Sequence, residues 1–414
     1  MINKPMIELR PHQRRSLTAM ERYVLGQLVM PTGAGKTLVM IFDAIRQFQQ
    51  DQHQTIVVVA PRILLASQLC SEFLEHIDNS HVMHVHSGET SHFSSTNPKK
   101  ISAWVNILSG KKLIFTTYHS LHKIKDSGVN INTIYFDEAH NSVKKSFFES
   151  TEYFSINSQR CYYFTATPKH SHTYKKPGMN DANVYGKVII NVSAPELINN
   201  GSILPPKLVV KSIKNIRDKE FGAERDCMTL LDILVNEDNM DKVLICSPNT
   251  KVLIRMLAET EFMSEVRSYG YDVFWITAKH GAFLNNKKIS REKFFELIAE
   301  YGKDDSKKFI VLHYSILSEG ISVPGLTSCV MMRQMNIIEM TQSIGRVLRL
   351  HMDDIKSIKE GKITPGNLES YKKPFGFIHL PVYENVGIAT VRRLESVIET
   401  VFEEGQPAIS VIKK

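Results

Sequence analysis

Residues 27–37 read QLVMPTGAGKT, an apolar run followed by a glycine-rich loop that ends in Lys36 and Thr37. Apolar residues then recur at the spacing of one helix face as far as Phe48. A glycine-rich loop between a strand and a helix points backbone N–H groups at an anion, and the helix N-terminus adds the positive end of its dipole. The stretch therefore predicts a phosphate-binding loop in an α/β domain.

The side chains of this loop fit a nucleoside triphosphate. Lys36 would reach the β- and γ-phosphates, and the Thr37 hydroxyl would ligate Mg²⁺. The loop departs from the general pattern at one position, because Met30 stands where a glycine is usual. A plain turn with a chance lysine is the alternative, and the strand–loop–helix context favours the nucleotide site. The candidate ATP-binding residues of the loop are Thr32, Gly33, Ala34, Gly35, Lys36 and Thr37.

An acidic pair, Asp137 and Glu138, follows the apolar run 133–136 in the sequence DEAH. A carboxylate at the carboxyl end of a parallel strand lies in the crevice where nucleotides bind. Asp137 would hold Mg²⁺ through water, and Glu138 would orient or deprotonate the attacking water. His140 would link this site to the cleft between domains. An acidic strand end on the surface is the alternative, and the presence of Lys36 on another apolar strand argues against it.

Short apolar runs alternate with helical patterns along the whole chain. The first series comprises residues 27–30, 55–60, 112–117, 133–137 and 161–165, and the second comprises 242–247, 272–277, 308–313, 328–333 and 375–380. Such runs are typical of parallel strands buried on both faces. We predict two α/β domains, residues 1–203 and 204–414, divided at the turn-forming sequence NNGSILPP, with a helical tail near 391–402. The polar segments 80–100 and 169–182 predict loops.

Composition narrows the class of protein. The formal net charge of +8 suits a partner with a phosphate backbone. The five cysteines are scattered without a C-x-x-C pair, which argues against a disulfide framework or a cysteine zinc site. Because no apolar run could cross a bilayer and no secretory signal is evident, we expect a cytoplasmic protein without a membrane partner. His81, His84, His86 and His92 are interpreted as a polar loop rather than a metal site.

Three further motifs restrict the possible functions. Residues 165–167 read TAT, residues 319–324 read EGISVP, and residues 342–349 read QSIGRVLR. With the loop and the acidic pair, this order resembles the superfamily 2 helicases, with motifs I, II and III in one domain and motifs V and VI in the other. The resemblance covers roughly residues 8–385. It implies two RecA-like P-loop domains, each a mostly parallel sheet flanked by helices.

The DEAH sequence and the form Q-x-x-G-R-x-x-R look most like the branch that contains type III restriction motor subunits, XPB and RecG-type proteins. Residues 196–206, 314–326 and 341–351 are similar to UvsW-type phage helicases.

The resemblance also implies roles for single residues. Arg10 and Gln13 match the motif that reads adenine. Gln342 would help place the attacking water, while Arg346 and Arg349 would meet the γ-phosphate from the second domain. The remaining nucleotide contact is Gly320, where the backbone would approach the nucleotide closely. The catalytic set implied in this way is Lys36, Asp137, Glu138, Gln342, Arg346 and Arg349.

Nucleic-acid contacts and coupling residues are carried over in the same way. The implied nucleic-acid contacts are Pro61 and Arg62 of motif Ia, Thr116, Thr117 and Tyr118 of motif Ib, and Pro248 and Asn249 of motif IV. Loop capping is the alternative role for each of these residues. Thr165 and Thr167 of motif III would couple ATP hydrolysis to nucleic-acid movement together with His140.

The sequence thus predicts an ATP hydrolase that uses Mg²⁺ and acts as a helicase or translocase on single-stranded, duplex or branched DNA. The resemblance points to phage recombination, repair or replication-fork remodelling. The alternatives are a duplex-DNA translocase without strand separation, an RNA helicase, and a DNA-binding or annealing protein that uses ATP as a switch. Glu138, Arg346 and Arg349 argue against the switch, because a switch needs no fast hydrolysis.

Overall fold

The computed structural model describes residues 8–173, 175–214, 216, 220–314, 323, 325–385 and 387–412. The chain forms two compact units. The first comprises Met1–Val192 together with Ile409–Lys414, and the second comprises Ser193–Ala408. Each unit contains a mostly parallel sheet flanked by helices, so the predicted α/β fold of two RecA-like domains is confirmed.

The first unit is built on an eight-stranded sheet. The strands before Val192 are β1 (Leu25–Val29), β2 (Thr55–Ala60), β3 (Ser80–Val85), β4 (Phe93–Ser94), β5 (Lys111–Thr117), β6 (Thr133–Phe136), β7 (Arg160–Thr165), β8 (Lys169–Ser171) and β9 (Val188–Asn191). All except β8 join the sheet, in the order β4-β3-β5-β2-β6-β7-β1-β9, and every pair is parallel. Every residue of the central strands β2 and β6 is buried, as expected when helices cover both faces.

The connecting helices of the first unit follow the strands in alternation. They are α1 (Pro11–Arg22), α2 (Lys36–Gln50), α3 (Ile63–Leu74), α4 (Pro98–Ile107), α5 (Leu121–Asp126), α6 (Lys145–Asn157) and α7 (Ala182–Tyr185), with a 3₁₀ turn at Ala139–Asn141. The long helix α2 begins directly after the glycine-rich loop, with Gly35 at its N-cap.

The second unit repeats the plan with another eight-stranded sheet. Its elements are α8 (Ala194–Asn199), β10 (Pro206–Ile213), α9 (Gly222–Asn236), β11 (Lys242–Cys246), α10 (Thr250–Glu259), α11 (Phe262–Ser268), β12 (Tyr271–Thr277), β13 (Gly281–Leu284), β14 (Lys287–Ile289), α12 (Arg291–Lys303), β15 (Lys308–His313), β16 (Ser328–Met331), α13 (Ile337–Val347), α14 (Met352–Lys359), a 3₁₀ turn (Leu368–Ser370), β17 (Gly376–Tyr383), α15 (Ile388–Val397) and a π-helical turn (Ile398–Glu403). The strand order is β10-β17-β16-β11-β15-β12-β13-β14, with antiparallel pairing at the β12-β13-β14 edge.

The predicted loops at 80–100 and 169–182 are partly wrong. The first segment contains β3, β4 and the start of α4, and the second contains β8. The strand β3 reads SHVMHV, and its polar residues hide the fact that Met83 and Val85 are buried against the neighbouring strands. The strand lies beside the two-residue edge strand β4, which pairs only with Met83 and His84, so part of β3 stays exposed and its composition alone does not identify it.

The division between the units falls eleven residues before the expected boundary at residue 203, since the first unit ends at Val192. The short helix α8 packs on the π-helical turn of the tail, and the Leu204 N–H donates to the Leu348 carbonyl at 2.7 Å. These contacts attach residues 193–204 to the second unit. The last described residues form a strand, β18 (Ser410–Ile412), which pairs in parallel with β8 of the first unit.

None of the helices in the described part of the chain has both the length and the apolar character needed to cross a membrane.

A buried carboxylate ties the helix of the glycine-rich loop to two strands. Asp43 of α2 is fully buried and accepts a hydrogen bond of 2.6 Å from the Tyr135 hydroxyl on β6. Arg160 at the start of β7 lies 3.4 Å from its other oxygen, and Arg46 pairs with that oxygen as well. The strands β6 and β7 lead into the DEAH sequence and Thr165. This network therefore fixes the loop helix relative to both motifs.

We expect Asp43→Ala to lower the free energy of unfolding by about 3 kcal/mol, because it leaves the buried Tyr135 hydroxyl and the half-buried Arg46 and Arg160 without their acceptor. Thermal and urea denaturation followed by circular dichroism would measure the change. Asp51→Ala, at the exposed end of the same helix, is the matched control and should change stability by less than about 1 kcal/mol. Equal effects of the two substitutions would contradict a role for the buried network.

Candidate nucleotide and nucleic-acid site

The loop between β1 and α2 has the backbone of an anion cradle. Gly33 and Gly35 adopt left-handed conformations with φ of +88° and +78°, which a residue with a side chain rarely adopts. Lys36 lies in the first turn of α2, and its Nζ is 3.4 Å from the Met30 carbonyl. The Oγ1 of Thr32 is buried and has no hydrogen-bond partner among the described residues. The loop thus presents a lysine, an unused hydroxyl and a helix N-terminus together.

The first turn of α1 supports this loop. The Nε2 of Gln13 lies 3.3 Å from the Ala34 carbonyl and 3.4 Å from the Gly35 carbonyl. A Cβ on Gly35 would lie only 2.3 Å from the same nitrogen, so the glycine allows the close approach. The backbone N–H of Arg10 donates to Gln13 Oε1 at 2.9 Å. Gln13 therefore connects the α1 entry to the loop.

His12 was not predicted from the sequence as a residue of this site. Its Nε2 lies 2.8 Å from the Ala34 carbonyl, and the side chain is fully buried. The only signal was its position between Arg10 and Gln13 in the stretch LRPHQ. Burial lowers the pKa of Arg10, two residues earlier in the same stretch.

The acidic pair lies at the end of β6. Glu138 has a φ of +46°, an uncommon conformation for a residue with a side chain. Its Oε2 is buried and makes no hydrogen bond within the described part of the chain, and the Nδ1 of His140 is 3.5 Å away. Burial, and then the Glu138 carboxylate, raise the pKa of Asp137, while the charge of Lys36 opposes the increase. Two adjacent buried carboxylates within electrostatic reach of Lys36 fit a divalent cation bound with a triphosphate.

The DEAH sequence is hydrogen-bonded to the TAT sequence. The Nδ1 of His140 lies 3.1 Å from the Thr165 Oγ1 and 3.4 Å from the Thr167 Oγ1. The Thr165 Oγ1 also accepts from the Thr167 N–H at 3.1 Å. Both threonines are fully buried. The structure thus brings together the three residues predicted to couple hydrolysis to movement.

Motif VI lies on α13 of the second unit. Asn336 caps this helix, with the Glu339 side chain completing a capping box. Gln342 and Arg346 are buried on α13, and Arg349 is half-buried just after it. The Nε2 of Gln342 has no hydrogen-bond partner in the region that the structure describes. The predicted nucleotide contact at Gly320 lies outside the described residues.

The residues predicted to contact nucleic acid differ in exposure. Arg62 is exposed at the N-cap of α3, and Asn249 is exposed at the N-cap of α10, where its Oδ1 accepts from the Val252 N–H. Pro61 is buried and Pro248 is half-buried. Asn249 thus has the capping role that was the alternative interpretation, whereas Arg62 occupies its N-cap position without a side-chain capping bond.

The three motif Ib residues are buried side chains. The Thr116 Oγ1 donates to the Val85 carbonyl at 2.9 Å, and the Tyr118 hydroxyl donates to the Asp137 carbonyl at 2.8 Å. Thr117 is buried beside them. His119, which the sequence analysis did not select, is the exposed side chain of this loop. The direct contacts stay predictions, and Tyr118 additionally connects motif Ib to the acidic pair.

Comparison with protein families gives two matches. Residues 6–170 match the family described as type III restriction enzyme, res subunit, and residues 226–351 match the helicase conserved C-terminal domain. The first match contains the loop and the acidic pair, and the second contains motif VI. These matches support a superfamily 2 helicase. A search of curated proteins gave no match.

Solved structures of restriction enzymes share this helicase fold. An ATP-dependent Type ISP restriction-modification enzyme, LlaBIII bound to DNA, aligns with a TM-score of 0.72 and 17% identity, covering 100% of this chain and 32% of that one. A nuclease-deletion mutant of the Type ISP enzyme LlaGI with a DNA substrate mimic aligns with a TM-score of 0.65 and 17% identity, covering 97% and 30%. The chain therefore spans about a third of either enzyme, and the similarity concerns the fold.

We expect Gln13→Ala to raise the KM for ATP about fivefold, because the loop loses one or two hydrogen bonds that support it. The kcat should change by less than about twofold. Steady-state ATPase kinetics would measure both constants. Gln68→Ala on α3 is the control, because Gln68 bonds to Glu72 and not to the loop. A fall in kcat at unchanged KM would instead place Gln13 in the chemical step.

Proposed function

We propose that this protein is a motor that hydrolyses ATP with Mg²⁺ and moves along DNA. The observation that carries the proposal is the buried Glu138 carboxylate, whose Oε2 lacks a hydrogen-bond partner among the described residues. A buried carboxylate oxygen that makes no hydrogen bond, with only the His140 Nδ1 at 3.5 Å, is costly, and such a group is often found where a ligand or a reaction uses it. Glu138 stands beside Asp137 at a strand end, which is where an attacking water would need a base.

Different residues of the first unit would bind Mg²⁺, contact the phosphates and orient the attacking water. Mg²⁺ would neutralise charge on the phosphates, and Asp137 and the Thr37 hydroxyl are the groups placed to hold it. Lys36 would move from the Met30 carbonyl to the phosphates, since the bond of 3.4 Å that it makes there is weak. Glu138 would orient the water and accept its proton.

The second unit supplies the positive charge that the resemblance assigns to motif VI. We propose that Arg346 and Arg349 stabilise charge on the γ-phosphate and that Gln342 helps to place the water. The unpartnered Nε2 of Gln342 supports this assignment, because a buried donor without an acceptor is ready for a ligand. The cluster of His140, Thr165 and Thr167 would pass the state of the nucleotide to the nucleic-acid surface.

DNA is the proposed track. Both solved structures named above hold DNA or a DNA substrate mimic, and the net charge of +8 suits a phosphate backbone. Contacts through exposed loop residues such as Arg62 and Asn249 would grip phosphates without selecting sequence. The similarity to UvsW-type helicases supports a role in recombination, repair or fork remodelling on branched DNA.

A second candidate is duplex-DNA translocation without strand separation. It is favoured by the similarity in fold to the restriction enzymes and by the match of residues 6–170 to a restriction-enzyme subunit. The two candidates share the ATP site and differ in what the motor does to the DNA.

ATPase assays with single-stranded DNA, duplex DNA, a four-way junction and RNA would separate these functions. We expect DNA to stimulate hydrolysis, with the junction strongest if remodelling is the function. Glu138→Gln should lower kcat at least about 100-fold while leaving nucleotide affinity nearly unchanged, because only the proton acceptor is lost.

Strand displacement measured on the same substrates distinguishes helicase from translocase, because a translocase would hydrolyse ATP without releasing a strand. Stimulation by RNA alone would move the protein to RNA substrates. Full hydrolysis by the Glu138→Gln variant would exclude Glu138 as the base.

The coupling role of the His140 cluster can be tested with an isosteric change. We expect Thr165→Val to reduce DNA stimulation of the ATPase about three- to tenfold, because His140 loses its partner on β7. Basal activity should fall less than about twofold in the same assay. Thr133→Val on the adjacent strand is the control, since the buried Thr133 hydroxyl bonds to no described residue. Parallel loss of basal and stimulated activity would indicate a structural defect instead.

A further inference from the structure

A buried lysine holds the end of the motif VI helix. Lys373 precedes β17, and its Nζ donates to the carbonyls of Leu326 at 2.6 Å, Val347 at 2.7 Å and Arg349 at 2.9 Å. An ammonium group has three N–H donors, so each one is used. Leu326 follows the motif V sequence, while Val347 and Arg349 end motif VI. One side chain therefore connects Leu326 to the end of motif VI.

The last carbonyls of a helix lack partners within the helix and attract positive charge. At the end of α13, three consecutive carbonyls are satisfied from other segments. The Lys373 Nζ donates to the carbonyls of Val347 and Arg349, and the N–H of Leu204 donates to the carbonyl of Leu348 at 2.7 Å. This arrangement fixes the backbone from which the arginines of motif VI project.

The lysine is itself held in place. Asp354 of α14 is buried, and its two carboxylate oxygens accept from the backbone N–H groups of Lys372 at 2.8 Å and Lys373 at 3.2 Å. Gly376 packs so closely that a Cβ there would lie 2.6 Å from the Val347 carbonyl oxygen. The segment before β17 is thus fitted to the end of α13.

Burying this charge is unfavourable. Burial, and then the neighbouring Arg349, lower the pKa of Lys373 to about 7, with Asp354 opposing and Lys242 adding to the decrease. An apolar residue of similar length would avoid that cost, but it would leave three carbonyls without a donor. The geometry is therefore that of a positioning group rather than of a packing residue.

We propose that Lys373 is a positioning residue for ATP hydrolysis, which fixes the end of α13, and with it Arg346 and Arg349, relative to Leu326. The inference rests on the proposed function, because it assigns Lys373 a part in that reaction. Lys373 acts through the backbone of motif VI.

The test compares Lys373→Met with Lys372→Met in the full chain. Lys372 is the adjacent residue, and it bonds to Asp305 and Asp353 at the surface instead of to motif VI. We expect Lys373→Met to lower the DNA-stimulated kcat about tenfold or more, because the arginine charge is displaced from the transferred phosphoryl group. The affinity for a fluorescent ATP analogue should change less than about threefold. Lys372→Met should retain the wild-type kcat.

A double-mutant cycle separates positioning from general loss of structure. If Lys373 acts through the arginines, its substitution should cost much less in an Arg349→Ala background than in the wild type. Asp354→Asn provides a milder second route, because it loosens the backbone of Lys373 and keeps the side-chain volume. If Lys373→Met does not fold, Asp354→Asn is measured in its place, and a wild-type kcat for Asp354→Asn would then overturn the proposal.

Equal kcat values for Lys373→Met and Lys372→Met would overturn the inference alone, as would additive losses in the cycle. Absence of ATP hydrolysis by the wild-type protein would overturn the proposed function, and the inference with it.

Discussion

A parallel sheet ends all of its strands in one direction at the same edge, and this constraint organises the first unit. The order β5-β2-β6-β7-β1 places five adjacent strands side by side, and each leads into a different motif. Motif Ib follows β5, motif Ia follows β2, the acidic pair follows β6, the TAT sequence follows β7, and the phosphate loop follows β1. The ladder pairs Val29 with Thr165, which brings the last two together. The topology thus brings together motifs that are distant from one another in sequence.

Side-chain hydrogen bonds and ion pairs then fix the positions of the motifs that the sheet topology brings together. Asp43 fixes the helix after the phosphate loop to β6 and β7, and Tyr118 joins motif Ib to Asp137. In the second unit, Lys373 has the corresponding role at the end of α13. Each of these groups is buried, so losing one partner would leave the other unsatisfied. That penalty makes the geometry of the motifs stiff where the chemistry requires a fixed position.

The central strands could be predicted from sequence because their apolar runs are unbroken, as in residues 55–60, which form β2. The strand β3 was not predicted because its serine and two histidines make the segment polar, although one of them, His84, is buried with Met83 and Val85. In the site, Lys36 and Glu138 were found from motif spacing. His12 and Lys373 were not, because their partners are backbone carbonyls distant in sequence and no side-chain pattern records such bonds.

The buried polar groups of the two units fall into two kinds, and the difference has a physical meaning. Lys373 uses every donor that it has, which suits a group whose position must not change. Thr32, Glu138 and Gln342 each keep a buried atom without a hydrogen bond to the described residues. Leaving such an atom unpaired costs about 1–3 kcal/mol. A ligand that supplied the missing partners would recover this free energy on binding. The Thr133 hydroxyl is also buried without a partner among the described residues, so it is the motif position together with the missing bond that assigns Thr32, Glu138 and Gln342 to the proposed site.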